Sequence, residues 1–273
     1  MIEFSQPNTH KAFHVGHIRG TSIGESLARI FEFKGDKVIR ANYSGDTGMH
    51  IAKWIWCYQK YHSKEKLKDD ESWIAGIYVD AVKRLGENES LQKEVDEINF
   101  KIEARGDKKI NELWNKTRKL SIKSWNKIYS ELNTHFDKYY FESEVEQEGK
   151  IMAGGLLKKG IAKKDDAVFI DLEKYNLGIW VLIRKDGTVL YSSKDLALAY
   201  KKVRDFPADR YLVAVADEQN MHFRQLVKTL ELMKFPKKEV YDFLTFGLVR
   251  FPEGKMSSRT GENILYSDFV KKV

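Results

Sequence analysis

Residues 3–48 read EFSQPNTHKAFHVGHIRGTSIGESLARIFEFKGDKVIRANYSGDTG. IEFS at the chain start has the apolar content of a short strand, and PNTHKAFHVGH after it is a polar loop. Ile23, Leu27, Ile30 and Phe31 then recur at i, i+4, i+7 and i+8, one face of a helix. Gly35 is placed to end that helix, and KVIRANY resumes as a strand. A strand, a glycine-containing turn, a helix and a second strand in so short a span predict a parallel, doubly wound α/β sheet.

From about 47 to 160 the pattern is mostly helical, charged and free of proline, with Trp54, Trp73, Trp114 and Trp125 among its aromatic positions. It reads as an insertion between two halves of a nucleotide-binding sheet. Strand signals return at AVFIDL and GIWVLIRKDGTVLYSS, where Asp186-Gly187 marks a hairpin. A helix near 194–204, the strand RYLVAV and a helix near 220–234 restore the α/β alternation. The expected organisation is a first half-sheet in 1–60, a helical insertion in 61–160 and a second half in 161–273.

The 273 residues are enough for one large α/β domain or two smaller ones. Hydrophobic residues at 42% exclude a disordered chain, and no run is long enough to span a bilayer. The N-terminus lacks the apolar region of a signal peptide. A single cysteine, Cys57, excludes an internal disulfide framework and a cysteine-based zinc cluster, so a reducing cytoplasm is expected and zinc is not. The net charge of +7 leans weakly towards polyanionic partners, and many of the lysines sit on polar helical stretches as solvated faces. No basic helix has groove-reading spacing, so DNA is not an expected partner.

Two loops carry chemistry. His14-Val15-Gly16-His17 lies between the first strand and the first helix, where helix N–H groups and the dipole favour phosphate. Gly16 would let a flat base lie against the backbone. Taken alone, two histidines three apart read equally well as capping or surface residues, or as a metal pair. The second loop, Pro252 to Gly261, is basic and has a glycine near each end, as a loop closing over phosphates would. Alone it reads first as a surface turn.

Together, and in this order, the loops resemble the H-I-G-H and K-M-S-K-S signatures of class I aminoacyl-tRNA synthetases. Residues 3–48 resemble the opening of the arginyl-tRNA synthetase catalytic domain over most of their length, and YSSKDLALA and ADEQNMHF resemble two further segments of that family. The resemblance implies a Rossmann-like parallel sheet split by a mostly helical insertion. It implies ATP, with Mg²⁺ on its phosphates, held by Lys11, His14, Gly16, His17, Lys255, Met256 and Ser257, with the two histidines, Lys11 and Lys255 acting in catalysis. It further implies an arginine pocket of Glu3, Asn8, Tyr191, Asp195 and Gln219. A guanidinium is planar and always charged, and its donor fork matches carboxylates, so Glu3 and Asp195 suit that role. Read without the resemblance, Asp195 is as easily a helix N-cap, and Glu3 an exposed edge charge.

The reaction implied is attack of the arginine carboxylate on the α-phosphate of ATP, then transfer of arginine to the 3′ end of tRNA(Arg). One departure stands out: Ser258 occupies the place of the signature's second lysine, and Lys11 is expected to supply that charge. The N-terminal tRNA-elbow and C-terminal anticodon-binding domains of that family have no counterpart in these residues, so a monomeric catalytic fragment, engineered or natural, is expected. Two rivals remain: an adenylate-forming paralogue with another acceptor, and a non-catalytic arginine- or RNA-binding module.

Overall fold

The computed structural model describes residues 1–236, 241–249 and 264–271. It divides into two compact units. The first comprises Met1–Phe4, Ile23–Tyr43 and Phe136–Leu248; the second comprises Ser5–Ser22, Ser44–His135 and Val249–Val273.

In chain order the elements are β1 (Ile2–Glu3), α1 (Val15–Phe33), β2 (Arg40–Ser44), α2 (Met49–Tyr61), α3 (Glu71–Glu87), α4 (Gln92–Ala104) and α5 (Lys108–Glu131). They continue with β3 (Lys138–Phe141), α6 (Glu142–Lys158), β4 (Lys163–Lys164), β5 (Val168–Asp171), β6 (Ile179–Ile183) and α7 (Tyr191–Asp205). The last are β7 (Tyr211–Ala216), α8 (Asn220–Leu232), β8 (Tyr241–Phe246) and α9 (Tyr266–Val270).

The first unit is built on a sheet of order β3-β2-β1-β7-β8, in which β2, β1, β7 and β8 run parallel. The chain leaves β1 to one side for β2 and later returns on its other side for β7. The carboxyl end of β1 is therefore a topological switch point, where open α/β sheets bind their ligands. Glu3 is the last residue of β1 and registers with Val213 of β7. Both strands are buried because helices cover the sheet: Phe4, Ala28, Leu212 and Ala214 pack in one cluster, and Val213, Val215, Leu196, Ala199 and Leu226 in another.

Arg40 fastens α1 to β2. Its guanidinium donates to Glu25 at 2.9 and 3.1 Å and to Glu32 at 2.6 and 2.8 Å, and these hydrogen bonds, those to Glu32 foremost, push its pKa up. Gly35, with φ +98°, ends the helix as its position in the sequence suggests. A second, antiparallel sheet of β4, β5 and β6 belongs to the same unit.

Two details differ from the sequence reading. The sheet resumes at β3, within the span assigned to the insertion, because Tyr140 and Phe141 bury their rings there. The hairpin at Asp186-Gly187 forms, with Gly187 at φ +85°, but its second arm makes only a bridge between Ile183 and Val189. Leu190 then hands the chain to α7, so YSS is helical and not extended; Ser193 Oγ donates to the carbonyl of Leu182.

The second unit is the helical one. α2 buries Ile51, Ala52, Trp54, Ile55, Trp56 and Cys57, and α3, α4 and α5 supply Ile77, Val95, Ile102, Ile110 and Trp114 to the same core. Asp70 caps α3 by accepting from Trp73 N–H at 2.7 Å, and Asp107 caps α5 through Ile110 N–H at 3.1 Å. Among the described residues no helix is long and apolar enough to cross a membrane.

Candidate active site

In the second unit the loop from Ser5 to His14 is unusually constrained. Ser5, Gln6 and His10 all adopt positive φ without being glycine, a conformation that costs energy and concentrates at functional loops. Neighbours hold it there. Gly45 N–H donates to Asn8 Oδ1 at 3.1 Å, and the buried His10 ring meets Thr117 Oγ1 at 2.7 Å and the edge of Trp54.

The two loop histidines stack, ring centroids 3.9 Å apart. Gly16 N–H donates to Nδ1 of His14 at 3.1 Å, and His14 N–H donates to Nδ1 of His17 at 3.2 Å. A backbone N–H is only a donor, so both Nδ1 atoms are unprotonated acceptors and both rings carry hydrogen on Nε2. Burial, then the Lys11 charge, lowers the His14 pKa to about 4; burial, His14 and Lys11 hold His17 well below its ordinary value. At neutral pH the pair offers two Nε2–H donors and no charge. Gly16 has a further reason to be glycine: a Cβ there would lie 3.0 Å from the His14 ring.

These residues line a cavity of about 320 Å³ together with Asn8 and Lys11, whose ammonium stands 5.4 Å from the Tyr78 ring centroid. The opposite wall is α3, with the small residues Ala75 and Gly76, and Leu265 and Asp268 complete the lining. Leu265 bridges to His14, Val15 N–H donates to the Ile264 carbonyl and Tyr266 N–H to the Phe13 carbonyl. The chain that follows the second sequence loop thus returns to the histidine pair.

Glu71, at the start of α3, holds that return in place. Its carboxyl accepts from Phe13 N–H at 3.1 Å and from Ser267 Oγ at 3.5 Å. Burial, with Asp70 and Asp268 adding to it, pushes the carboxyl up to about 7. The folded state therefore keeps a proton that the unfolded chain releases near 4.5, and this contribution to stability is lost as pH rises through about 7. Glu71→Gln keeps an acceptor for Phe13 and removes the charge. It is expected to raise stability at pH 8 by at most about 3 kcal/mol, with the gain vanishing below pH 4.5, as denaturant titration at the two pH values would show.

Cys57, His62 and Asp80 also converge, their ligand atoms all within 4.8 Å of one another. Arg84 Nε already sits 2.8 Å from the Asp80 oxygen that His62 approaches at 3.0 Å, and Glu65 holds the other side of His62 at 2.5 Å. Burial, then Asp80, pushes the Cys57 thiol up to about 12. Asp80, His62, Glu65 and Arg84 thus satisfy one another's charges around the thiol.

In the first unit, Tyr191 and Asp195 lie one turn apart at the start of α7, and both touch His222 of α8. Asp195 Oδ2 is 2.5 Å from His222 Nε2, and the Tyr191 ring meets the imidazole edge-on at 4.6 Å. The N-cap of α7 is Leu190, which leaves Asp195 free of that duty. Gln219 ends the 3₁₀ turn Asp217–Gln219 directly after β7, so it follows the carboxyl end of that strand while Glu3 forms the carboxyl end of the adjacent parallel β1. Glu3 is buried and ion-paired with Lys202, whose ammonium also donates to Tyr241 Oη at 3.2 Å. Burial foremost, and the Glu3 and Asp195 charges against that of Lys202, leave the Tyr241 hydroxyl pushed up to about 12.

A family model described as tRNA synthetases class I (R), catalytic domain, matches residues 1–272. The chain belongs to that family. All of it aligns with 48% of the arginine–tRNA ligase of Bdellovibrio bacteriovorus at 32% identity, and with 48% of that of Treponema denticola at 35%. The fold is similar to that of the Plasmodium falciparum arginyl-tRNA synthetase, with TM-score 0.74 and 25% identity over 90% of this chain and 42% of that one. The Thermus thermophilus arginyl-tRNA synthetase is similar in fold at TM-score 0.77 and 21% identity, over 99% of this chain and 51% of that one. The chain spans about half the length of the curated relatives it matches.

For a class I synthetase catalytic domain, the candidate residues fall into two groups. Asn8, Lys11, His14 and His17 share the cavity of the second unit, with Gly16 beneath the His14 ring. Glu3, Tyr191, Asp195 and Gln219 belong to the first unit. Lys255, Met256, Ser257 and Ser258 lie outside the described residues. Sequence reasoning did not single out Lys202, His222, Glu71 or the α3 wall. The α3 residues carry only a faint signal, the adjacent small pair Ala75-Gly76, while His222 sits inside the ADEQNMHF segment without any spacing that marks it.

Proposed function

We propose that this chain is the arginine-activating core of an arginine–tRNA ligase, working in the cytoplasm on arginine, ATP with Mg²⁺, and the acceptor end of tRNA(Arg). The observation that carries it is the stacked histidine pair, both of whose Nδ1 atoms are occupied by backbone N–H groups. Two neutral Nε2–H donors suit a triphosphate: they stabilise charge that grows on departing pyrophosphate, without the strong ground-state grip of a cation.

No protein base is required, because the attacking arginine carboxylate is already an anion. It adds to the α-phosphate, the bond to the bridging oxygen of the β-phosphate breaks, and arginyl-adenylate and pyrophosphate form. Catalysis then consists of alignment and charge neutralisation. Lys11 supplies the lysine charge that Ser258 lacks, supported by its place in the cavity and its electrostatic pull on both histidines. Lys255 closes on the pyrophosphate.

For arginine, Glu3 and Asp195 do not act as two equal open carboxylates. Two carboxylates and the Lys202 ammonium leave one net negative charge, which one guanidinium balances. Asp195 is then the principal guanidinium acceptor, with Tyr191 beside it, and Gln219 of the same unit serves the α-amino group.

Arginine-dependent exchange of labelled pyrophosphate into ATP tests the reading. Exchange is expected to be slow for the chain alone and faster with tRNA(Arg). Lys11→Ala should lower it by about tenfold or more, the worth of one charge-assisted contact. Unchanged exchange in that variant would remove Lys11 from the mechanism. Arginine binding with no exchange, even with tRNA present, would mark a binding module.

A further inference from the structure

We infer that His222 is a positioning residue for arginine recognition, holding the Asp195 carboxylate in the plane that a guanidinium needs. This rests on the arginine-activating reading proposed above.

Three elements fix the imidazole. Trp180 of β6 directs its indole Nε1 at His222 Nδ1, 3.3 Å away, and the Tyr191 ring of α7 closes one edge. Phe223, the next residue of α8, stands edge-on with its centroid 5.3 Å away. Gln225 anchors α8 to the loop before β6 by donating to the Leu177 carbonyl at 2.6 Å. His222 and Trp180 are both buried, at 7% and 4% exposure.

The hydrogen-bond roles follow from chemistry. An indole N–H only donates, so Nδ1 of His222 is the acceptor and carries no proton. The ring hydrogen is then on Nε2, and it points at Asp195 Oδ2 at 2.5 Å. A carboxylate oxygen has two lone pairs. His222 takes one on Oδ2, leaving the other and all of Oδ1 for a ligand. The Asp195 plane is thereby set by a ring that is itself set by a tryptophan, and all three side chains sit on strands and helices. Planarity is what separates arginine from lysine. A guanidinium fork needs both carboxylate oxygens in its own plane, while a rounded ammonium accepts any approach. A freely turning Asp195 would keep its charge and lose that discrimination.

The test is calorimetric binding of arginine and lysine, with a non-hydrolysable ATP analogue present, to the wild-type chain and to His222→Ala, His222→Gln and Trp180→Phe. His222→Ala is expected to weaken arginine about 10- to 100-fold, as loss of a hydrogen bond to a charged group does, with lysine and the ATP analogue little changed. The arginine-to-lysine ratio therefore falls. His222→Gln, whose amide N–H reaches where Nε2–H was, should restore most of both. Trp180→Phe should fall between wild type and alanine. Long-range ¹⁵N–¹H spectra of the wild type should show His222 protonated on Nε2 alone.

A folded His222→Ala with unchanged arginine affinity and ratio would overturn the inference, as would Nδ1 protonation or a glutamine variant no better than alanine. If wild type binds no arginine, the parent reading falls and takes this one with it. If wild type binds and the variants match it, this inference alone is lost.

Discussion

Asp195→Asn is expected to weaken arginine binding by about 2–5 kcal/mol, thirtyfold to several thousandfold, while leaving nucleotide affinity unaltered. The change is nearly isosteric, and the asparagine oxygen still accepts from His222 Nε2. What disappears is the single net negative charge of the first-unit cluster, since Glu3 is already answered by Lys202. A buried guanidinium without a counter-charge is far worse than an absent one. Titration of the variant with arginine and, separately, with an ATP analogue checks it. Arginine affinity within threefold of wild type would transfer the recognition to another carboxylate.

The second large effect is on folding. Gly24→Ala should destabilise the chain by roughly 3 kcal/mol and lower Tm by about 6–12 °C. Two forces compete at this site. Alanine is favoured over glycine inside a helix by about 1 kcal/mol. Against that, a Cβ on Gly24 would lie 2.1 Å from Cγ and 2.3 Å from Cβ of Phe4, a ring with no exposed surface that follows β1 directly. Those are the near atoms of Phe4, which cannot swing away without moving the strand. The collision wins. Gly154→Ala on α6 is the matched control: nothing lies within 4 Å of its Cβ, so propensity acts alone and stability should hold or rise. Equal melting of both variants, measured by circular dichroism, would contradict the packing at β1.

Much of the fold was legible because the signals were local. The period of Ile23, Leu27, Ile30 and Phe31, the Gly35 stop and the apolar run at 211–216 each need only neighbours in sequence to be read. β3 was missed since four residues after a long helix look like its continuation, and only their burial against the sheet makes them a strand. The second arm of the Asp186-Gly187 hairpin was over-read. Val189, Leu190 and Tyr191 extend the apolar run of a strand, but the two serines after them satisfy carbonyls of β6 from inside a helix.

The candidate site divides the same way. His14 and His17 carry a signature that reading alone picks out. Their tautomers depend on backbone N–H directions that no sequence prints. Glu3 and Asp195 were read as a matched pair. The structure distinguishes them through Lys202 and His222, which are 199 and 27 residues away from their partners and have no pattern linking them. Long-range partners of buried charges are what sequence reading conceals most.

The most direct measurement is calorimetric titration of the wild-type chain with arginine, lysine and citrulline in the presence of a non-hydrolysable ATP analogue. Arginine should bind, lysine weakly and citrulline not measurably, because citrulline keeps the shape and lacks the charge. Equal binding of arginine and citrulline, or none of arginine, would contradict an arginine-activating core.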